Sequence, residues 1–211
     1  MASDRSLVNK AIDDIMAFIK TKELKVNDKL PREADLATAL GIGRSTLREA
    51  VKILAFADVL TVKQGSGTFI NATEFKTEFT PSQLMLARTM IEETAVIKCA
   101  QIQLSNEELL NLKELLFKRN KLLAKGKFLE YVNADLEFHR TIVNLTQNPF
   151  LIKWFNSILE DVRTYLGHQV LKTTDFTDNT DLHNQIFKAI VDRDVTAAKK
   201  LIRETNDRNL A

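Results

Sequence analysis

Apolar positions recur along this chain with a helical period almost throughout. Val8, Ile12, Ile15, Met16 and Ile19 share one side of a helix that the spacing predicts from Leu7 to about Lys20. The stretch "ELKVNDKLP" breaks the pattern and reads as a connector. A second helix runs through "READLATAL" and stops at Gly41, a residue suited to the left-handed turn after a helix C-terminus. Ile42 and Gly43 complete a tight turn before a third helix, "RSTLREAVKILAFA". On that helix Arg44, Ser45, Arg48 and Lys52 fall on one side, while Leu47, Val51 and Leu54 fall on an adjoining one. The pattern then changes to two short β-rich runs, "VLTVK" and "GTFIN", joined through "QGSG", whose glycines suit a hairpin loop. Helix, helix, turn, helix, hairpin is the order of a winged helix-turn-helix.

The polar stretch "ATEFKTEFTPSQ" with Pro81 marks a boundary. The expected division is a winged helix-turn-helix domain at 1–73, a linker at 74–81 and an all-helical bundle at 82–211, a mainly α fold. Helices are predicted over 82–103, 106–124, 127–145, 149–171, 180–192 and 195–209. Ser105 with Glu108 forms a capping box, Asn148 before Pro149 gives an N-cap then N1, and Asp194 can cap the last helix. Around "TTDFTDNTD" the apolar pattern lapses, as in a loop.

Composition agrees with long helices, because glycine (6) and proline (3) are scarce in a chain of 211 residues. The single cysteine, Cys99, has no partner for an internal disulfide and reads as a packing residue. No apolar run resembles a signal peptide or reaches the roughly 18 residues of a membrane span, so a soluble cytoplasmic protein is expected. The net charge of +2 falls within the first 72 residues, a small excess that matters only if it is clustered on one face.

Such a face is what the third helix offers. In a major groove, arginine reads guanine edges, and serine, threonine and backbone N–H groups hold phosphates. Arg44, Ser45, Thr46 and Arg48 occupy the first turns, the part of a recognition helix that reaches base edges. Taken alone, a helix with two arginines is more often simply solvated; the preceding helix, the turn and the glycine-bearing hairpin tip the balance.

The stretch "KLPREADLATALGIGRSTLREAVKILAFADVLTVKQGSGTFI" closely resembles the N-terminal winged helix of the GntR superfamily of bacterial transcription regulators. The resemblance implies that Arg44, Ser45, Thr46 and Arg48 contact DNA and that Gly65, beside Gln64 at the wing tip, approaches the minor groove. It also marks a departure. Where many members carry an arginine near the start of the second helix, this chain has Ala34, with Arg32 as a possible replacement.

Residues 82–211 resemble the helical effector domain of the FadR-like subfamily, through "LARTMIEETA", "DLEFHRTIVNLTQNPFL" and "DLHNQIFKAIVDRDVTAAKKLI". Asp135 and His139, four apart, project from one helix face and can ligate a divalent ion, with His183 completing a facial set. Spacing alone favours a plain hydrogen bond between them; the resemblance assigns all three as metal ligands, for zinc or nickel. The subfamily's last histidine would fall near Thr205 or Asn206, where this chain has none, and His168 is the only other histidine. The resemblance further implies a homodimer reading a pseudo-palindromic operator in double-stranded DNA as a repressor, without membrane attachment, and a small organic acid as effector. Arg88, Arg140 and Arg163 are candidate partners for its carboxylate, with a surface salt bridge as the plainer reading for the last two. Phe128, Tyr131, Phe138, Phe150, Trp154, Phe155 and Tyr165 read as core, and "KRNKLLAKGK" reads as a solvated helix end. Two alternatives compete: a metal-free cavity for a fatty acyl ligand, and a metal-dependent enzyme, since two histidines and a carboxylate are also the ligands of non-haem iron oxygenases.

Overall fold

A computed structural model describes residues 2–72, 79–125, 127–172 and 179–208. The chain forms two compact units, one of Met1–Glu78 with Gly167–Thr174 and one of Phe79–Leu166 with Asp175–Ala211.

In the first unit, α1 spans Ala2–Thr21, α2 Glu33–Leu40 and α3 Arg44–Phe56, followed by strands β1 (Leu60–Lys63) and β2 (Gly67–Ile70). The three helices bury the apolar faces expected of them: Ile12, Ile15 and Ile19 from α1, Leu36 from α2, and Leu47, Val51 and Leu54 from α3. Gly41 ends α2 with φ 66°, a left-handed conformation that costs glycine nothing. The strands pair antiparallel with Leu60 opposite Ile70 and Lys63 opposite Gly67. Gly67 sits at φ 118°, where a side chain would be strained. The connector before α2 is more ordered than its composition suggests. Asn27 N–H donates to Ile70 O at 2.8 Å, Ile70 N–H to Asp28 O at 2.9 Å and Leu30 N–H to Thr68 O at 2.9 Å. Residues 27–30 thus cover the open edge of β2, which would otherwise present unpaired backbone groups.

In the second unit, which takes α7 only as far as Leu166, α4 spans Pro81–Gln101, α5 Asn106–Ala124, α6 Phe128–Leu145, α7 Pro149–Lys172, α8 Thr180–Val191 and α9 Val195–Arg208. Pro81 is not only a boundary marker: it is the first residue of α4, capped by Thr80 in a reciprocal box with Gln83. The Ser105–Glu108 box holds α5. Asn148 Oδ1 accepts from the N–H groups of Phe150 (3.0 Å) and Leu151 (3.3 Å), and Asp194 Oδ1 from Ala197 N–H (2.9 Å). Val96, Cys99, Leu112, Phe138, Phe155, Ile186 and Ile202 meet in the core of this unit. The Cys99 thiol donates to Ile142 O at 3.4 Å, and burial raises its pKa to about 12. Tyr131, Phe138 and Phe155 are buried as expected, but Phe150 and Trp154 are 64% and 54% exposed, with rings 6.2 Å apart on the outer side of the first turns of α7. Their helical spacing to buried neighbours could not show which side of α7 faces inward. Residues 74–78 of the expected linker, residues 173–178 of the expected loop and the side chains of Phe128 and His168 lie outside the described part.

Candidate metal centre and duplex-facing helix

Helical geometry assembles the buried cluster of the second unit. On α6, Tyr131, Asp135 and His139 follow one another at intervals of four and point the same way. On α4, Arg88 and Glu92 do likewise and are both buried. His183 enters from the first turn of α8, and α9 closes the far side with Thr205 and Asn206. Asp135, His139 and His183 offer ligand atoms that all lie within 4.8 Å of one another, so this buried group can hold a metal ion.

The chemistry of the donor set fits a cation. His183 Nδ1 lies 2.9 Å from Asn179 O, and a carbonyl only accepts, so Nδ1 carries the proton and a neutral ring leaves Nε2 as a bare lone pair. That Nε2 lies 3.0 Å from His139 Nε2 and 3.1 Å from Asp135 Oδ1. His139 Nδ1 in turn faces Glu92 Oε1 at 3.2 Å, without an aligned hydrogen bond. With no ion, one neutral His139 proton can serve either His183 or Glu92, never both. A bound cation would be held by Asp135 and by the Nε2 lone pairs of His139 and His183, with the Nδ1 protons of the two rings directed at Glu92 and Asn179 O, partners of the kind that orient metal-bound histidines. Burial lowers the His139 pKa to about 4, so the ring is neutral at physiological pH. Burial alone would raise Asp135, but Arg119 first, then His183 and His139, hold it well below the usual carboxylate range.

Thr205 and Asn206, where the fourth histidine is expected, are both buried. Asn206 donates its amide to Glu92 Oε2 at 2.9 Å, and Thr205 turns its hydroxyl back to Leu201 O at 2.9 Å. The Asn206 Oδ1 is buried without a hydrogen-bond partner. A three-ligand site keeps positions open for water or a ligand's oxygen.

Arg88 is the candidate effector partner that lies in this cluster. Its Nε donates to Glu92 Oε1 at 2.8 Å, while Nη1 and Nη2, fully buried, have no hydrogen-bond partner. Unsatisfied buried guanidinium nitrogens are costly and suit a carboxylate. Arg140 instead approaches Glu137 (3.6 Å), three residues away on the same helix, and Arg163 pairs with Glu160. The run "KRNKLLAKGK" does not behave as a solvated end throughout, since Arg119 within it is fully buried. Its Nε meets Asp135 Oδ1 at 2.6 Å and its Nη2 donates to Tyr131 Oη at 2.8 Å and to Asn179 Oδ1. Arg119 falls in helical register with buried Leu112 and Leu116, a signal its exposed neighbours Lys118 and Lys121 lack, but its partners on α6 and before α8 are set only by the fold.

In the first unit, Arg44, Ser45 and Arg48 are exposed on α3, Thr46 is half-buried, and Arg32, Gln64 and Gly65 are exposed at the start of α2 and in the hairpin turn. Arg48 Nε donates to Glu33 Oε2 at 2.7 Å, a surface ion pair that raises the arginine pKa chiefly through this hydrogen bond. The ammonium groups of Lys29 and Lys63 lie 5.8 and 5.0 Å from the centroid of the Phe69 ring on the wing, two cations that no sequence motif singled out.

Comparison with known proteins finds two family matches in this chain. Residues 7–70 match the bacterial regulatory proteins of the gntR family, and residues 83–208 match the FCD domain family. The Exu regulon transcriptional regulator of Escherichia coli is 27% identical over 215 residues, covering 92% of this chain and 80% of that protein. The Uxu operon regulator of Haemophilus influenzae is 29% identical over 136 residues, covering 61% of this chain but 50% of its own length. The solved structure of Escherichia coli McbR/YncC shares the fold, with a TM-score of 0.59 at 18% identity over 97% of this chain and 95% of that one.

Proposed function

Because the chain belongs to the bacterial gntR-family regulatory proteins that carry an FCD domain, we propose that it is a ligand-responsive repressor whose helical unit senses a small carboxylate at a zinc or nickel ion. It is a transcription regulator and not an enzyme, which sets aside the oxygenase alternative. The N-terminal unit docks α3 in the major groove of double-stranded DNA, where Arg44 and Arg48 read base edges, Ser45 and Thr46 hold phosphates, and Arg32, Gln64 and Gly65 approach the flanking backbone and minor groove. Two copies related by a dyad read a pseudo-palindrome.

Asp135, His139 and His183 hold the ion, which when bound polarises an oxygen of the acid. Arg88 orients the same carboxylate through Nη1 and Nη2, and Glu92 fixes both Arg88 and the His139 ring. Arg140 and Arg163, half-buried and set against Glu137 and Glu160, serve at most as outer attractants for the anion. The effector shifts the regulator by binding its two arrangements unequally. The observation that carries this reading is the pair of imidazole Nε2 atoms 3.0 Å apart beside a buried carboxylate. The buried Nη1 and Nη2 of Arg88, which lack hydrogen-bond partners, argue against a fatty acyl ligand, whose tail would leave these donors unsatisfied.

Equilibrium dialysis against excess Zn²⁺ tests the ion site. The wild-type chain takes up one equivalent, and His139→Ala takes up none while keeping its helical circular dichroism. Absence of uptake by the wild type, or undiminished uptake by the variant, contradicts the assignment.

A further inference from the structure

The cluster that takes the ion already contains two buried cations. Among the described residues, its charged groups are Arg88, Arg119, Glu92 and Asp135, so two guanidinium groups balance two carboxylates before any ion enters. Arg88 has free N–H groups, but Arg119 is fully engaged. Its Nε donates to Asp135 Oδ1 at 2.6 Å, its Nη1 to Asn120 Oδ1 at 2.8 Å, and its Nη2 to Tyr131 Oη at 2.8 Å and to Asn179 Oδ1, with the Tyr131 ring 4.9 Å from its central carbon. These partners come from α5, α6 and the residue before α8, so the guanidinium is held in place rather than free to withdraw. The oxygen it occupies is also the one 3.1 Å from His183 Nε2.

A divalent ion entering here leaves the sealed cluster with two uncompensated positive charges, a costly state in a poorly solvated interior. At an effective dielectric of about 20, one unit charge a few ångströms away changes an ion's affinity by more than tenfold. We propose that Arg119 is a resident cation that shares Asp135 with the incoming metal and thereby weakens the cluster's grip on it. This rests on the reading of Asp135, His139 and His183 as the metal centre. The excess charge is what a carboxylate beside Arg88 offsets.

The test is calorimetric titration with Zn²⁺ alone, in carboxylate-free buffer, of the full chain, Arg119→Gln and Arg119→Lys. Glutamine keeps polar contacts near Tyr131 and Asn179 but removes the charge; lysine keeps the charge. The expected result is weak binding by the wild type and by Arg119→Lys, and binding at least tenfold tighter by Arg119→Gln with unchanged helical circular dichroism. Equal or weaker binding by a folded Arg119→Gln overturns the proposal, because a purely supporting role predicts loss. If that variant does not fold, the wild type decides: nanomolar binding overturns the role of Arg119, and micromolar or weaker binding supports it. No uptake by any of the three proteins, even at millimolar Zn²⁺, overturns the metal centre itself and this inference with it.

Discussion

A neutral imidazole buried beside two carboxylates ties folding to pH. His139 has a pKa of about 4 in the folded chain, below the ordinary value of 6.5, because burial disfavours the charged ring. The unfolded chain therefore takes up this proton first as the solution is acidified. The contribution is fully present above pH 6.5 and is lost as the pH falls towards 4, a cost on the order of 3 kcal/mol from this group alone. Thermal unfolding of the metal-free chain between pH 7 and 4 checks it: the midpoint falls across that window, and His139→Gln shows a shallower fall. At this scale the sequence was legible where chemistry follows helical spacing. Asp135 and His139 four apart, and Arg88 and Glu92 four apart, are pairs that a helix must bring together. Arg119, Asn179 and Asn206 were not legible, because their roles depend on partners brought from other helices.

Helix ends are written locally, and most of them could be read in advance. Ser105 and Glu108 satisfy each other's neighbouring backbone groups, with Ser105 N–H donating to Glu108 Oε2 at 2.7 Å and Glu108 N–H to Ser105 Oγ at 3.2 Å. Ser105→Ala removes the hydroxyl acceptor and lowers stability by about 1 kcal/mol, measured by urea unfolding, with no change in Zn²⁺ uptake. A loss of Zn²⁺ uptake in that variant would show that α5 reaches the site through more than Arg119. Two features at this scale escaped the pattern. Residues 27–30 pair with β2 because a strand edge must be satisfied by something, a requirement that composition does not display. Phe150 and Trp154 share the spacing of buried aromatics yet face outward, since periodicity gives a stripe but not its direction.

For the whole molecule, the order of elements carried the fold: two helices, a glycine turn, a basic helix and a hairpin, then helices to the end. What the order could not supply is the interior of the second unit: resemblance named the ligand set, but the Arg88 nitrogens without a hydrogen bond and the cation on α5 were visible only once folded. The account joins a duplex-reading head to an ion-dependent sensor in one chain. Its head is tested most directly by selecting bound duplexes from a random-sequence pool. The wild-type chain is predicted to enrich an inverted repeat, and Arg44→Ala combined with Arg48→Ala to lose that enrichment while remaining folded. Recovery of no sequence by the wild type, or of the same repeat by the doubly substituted chain, would contradict it.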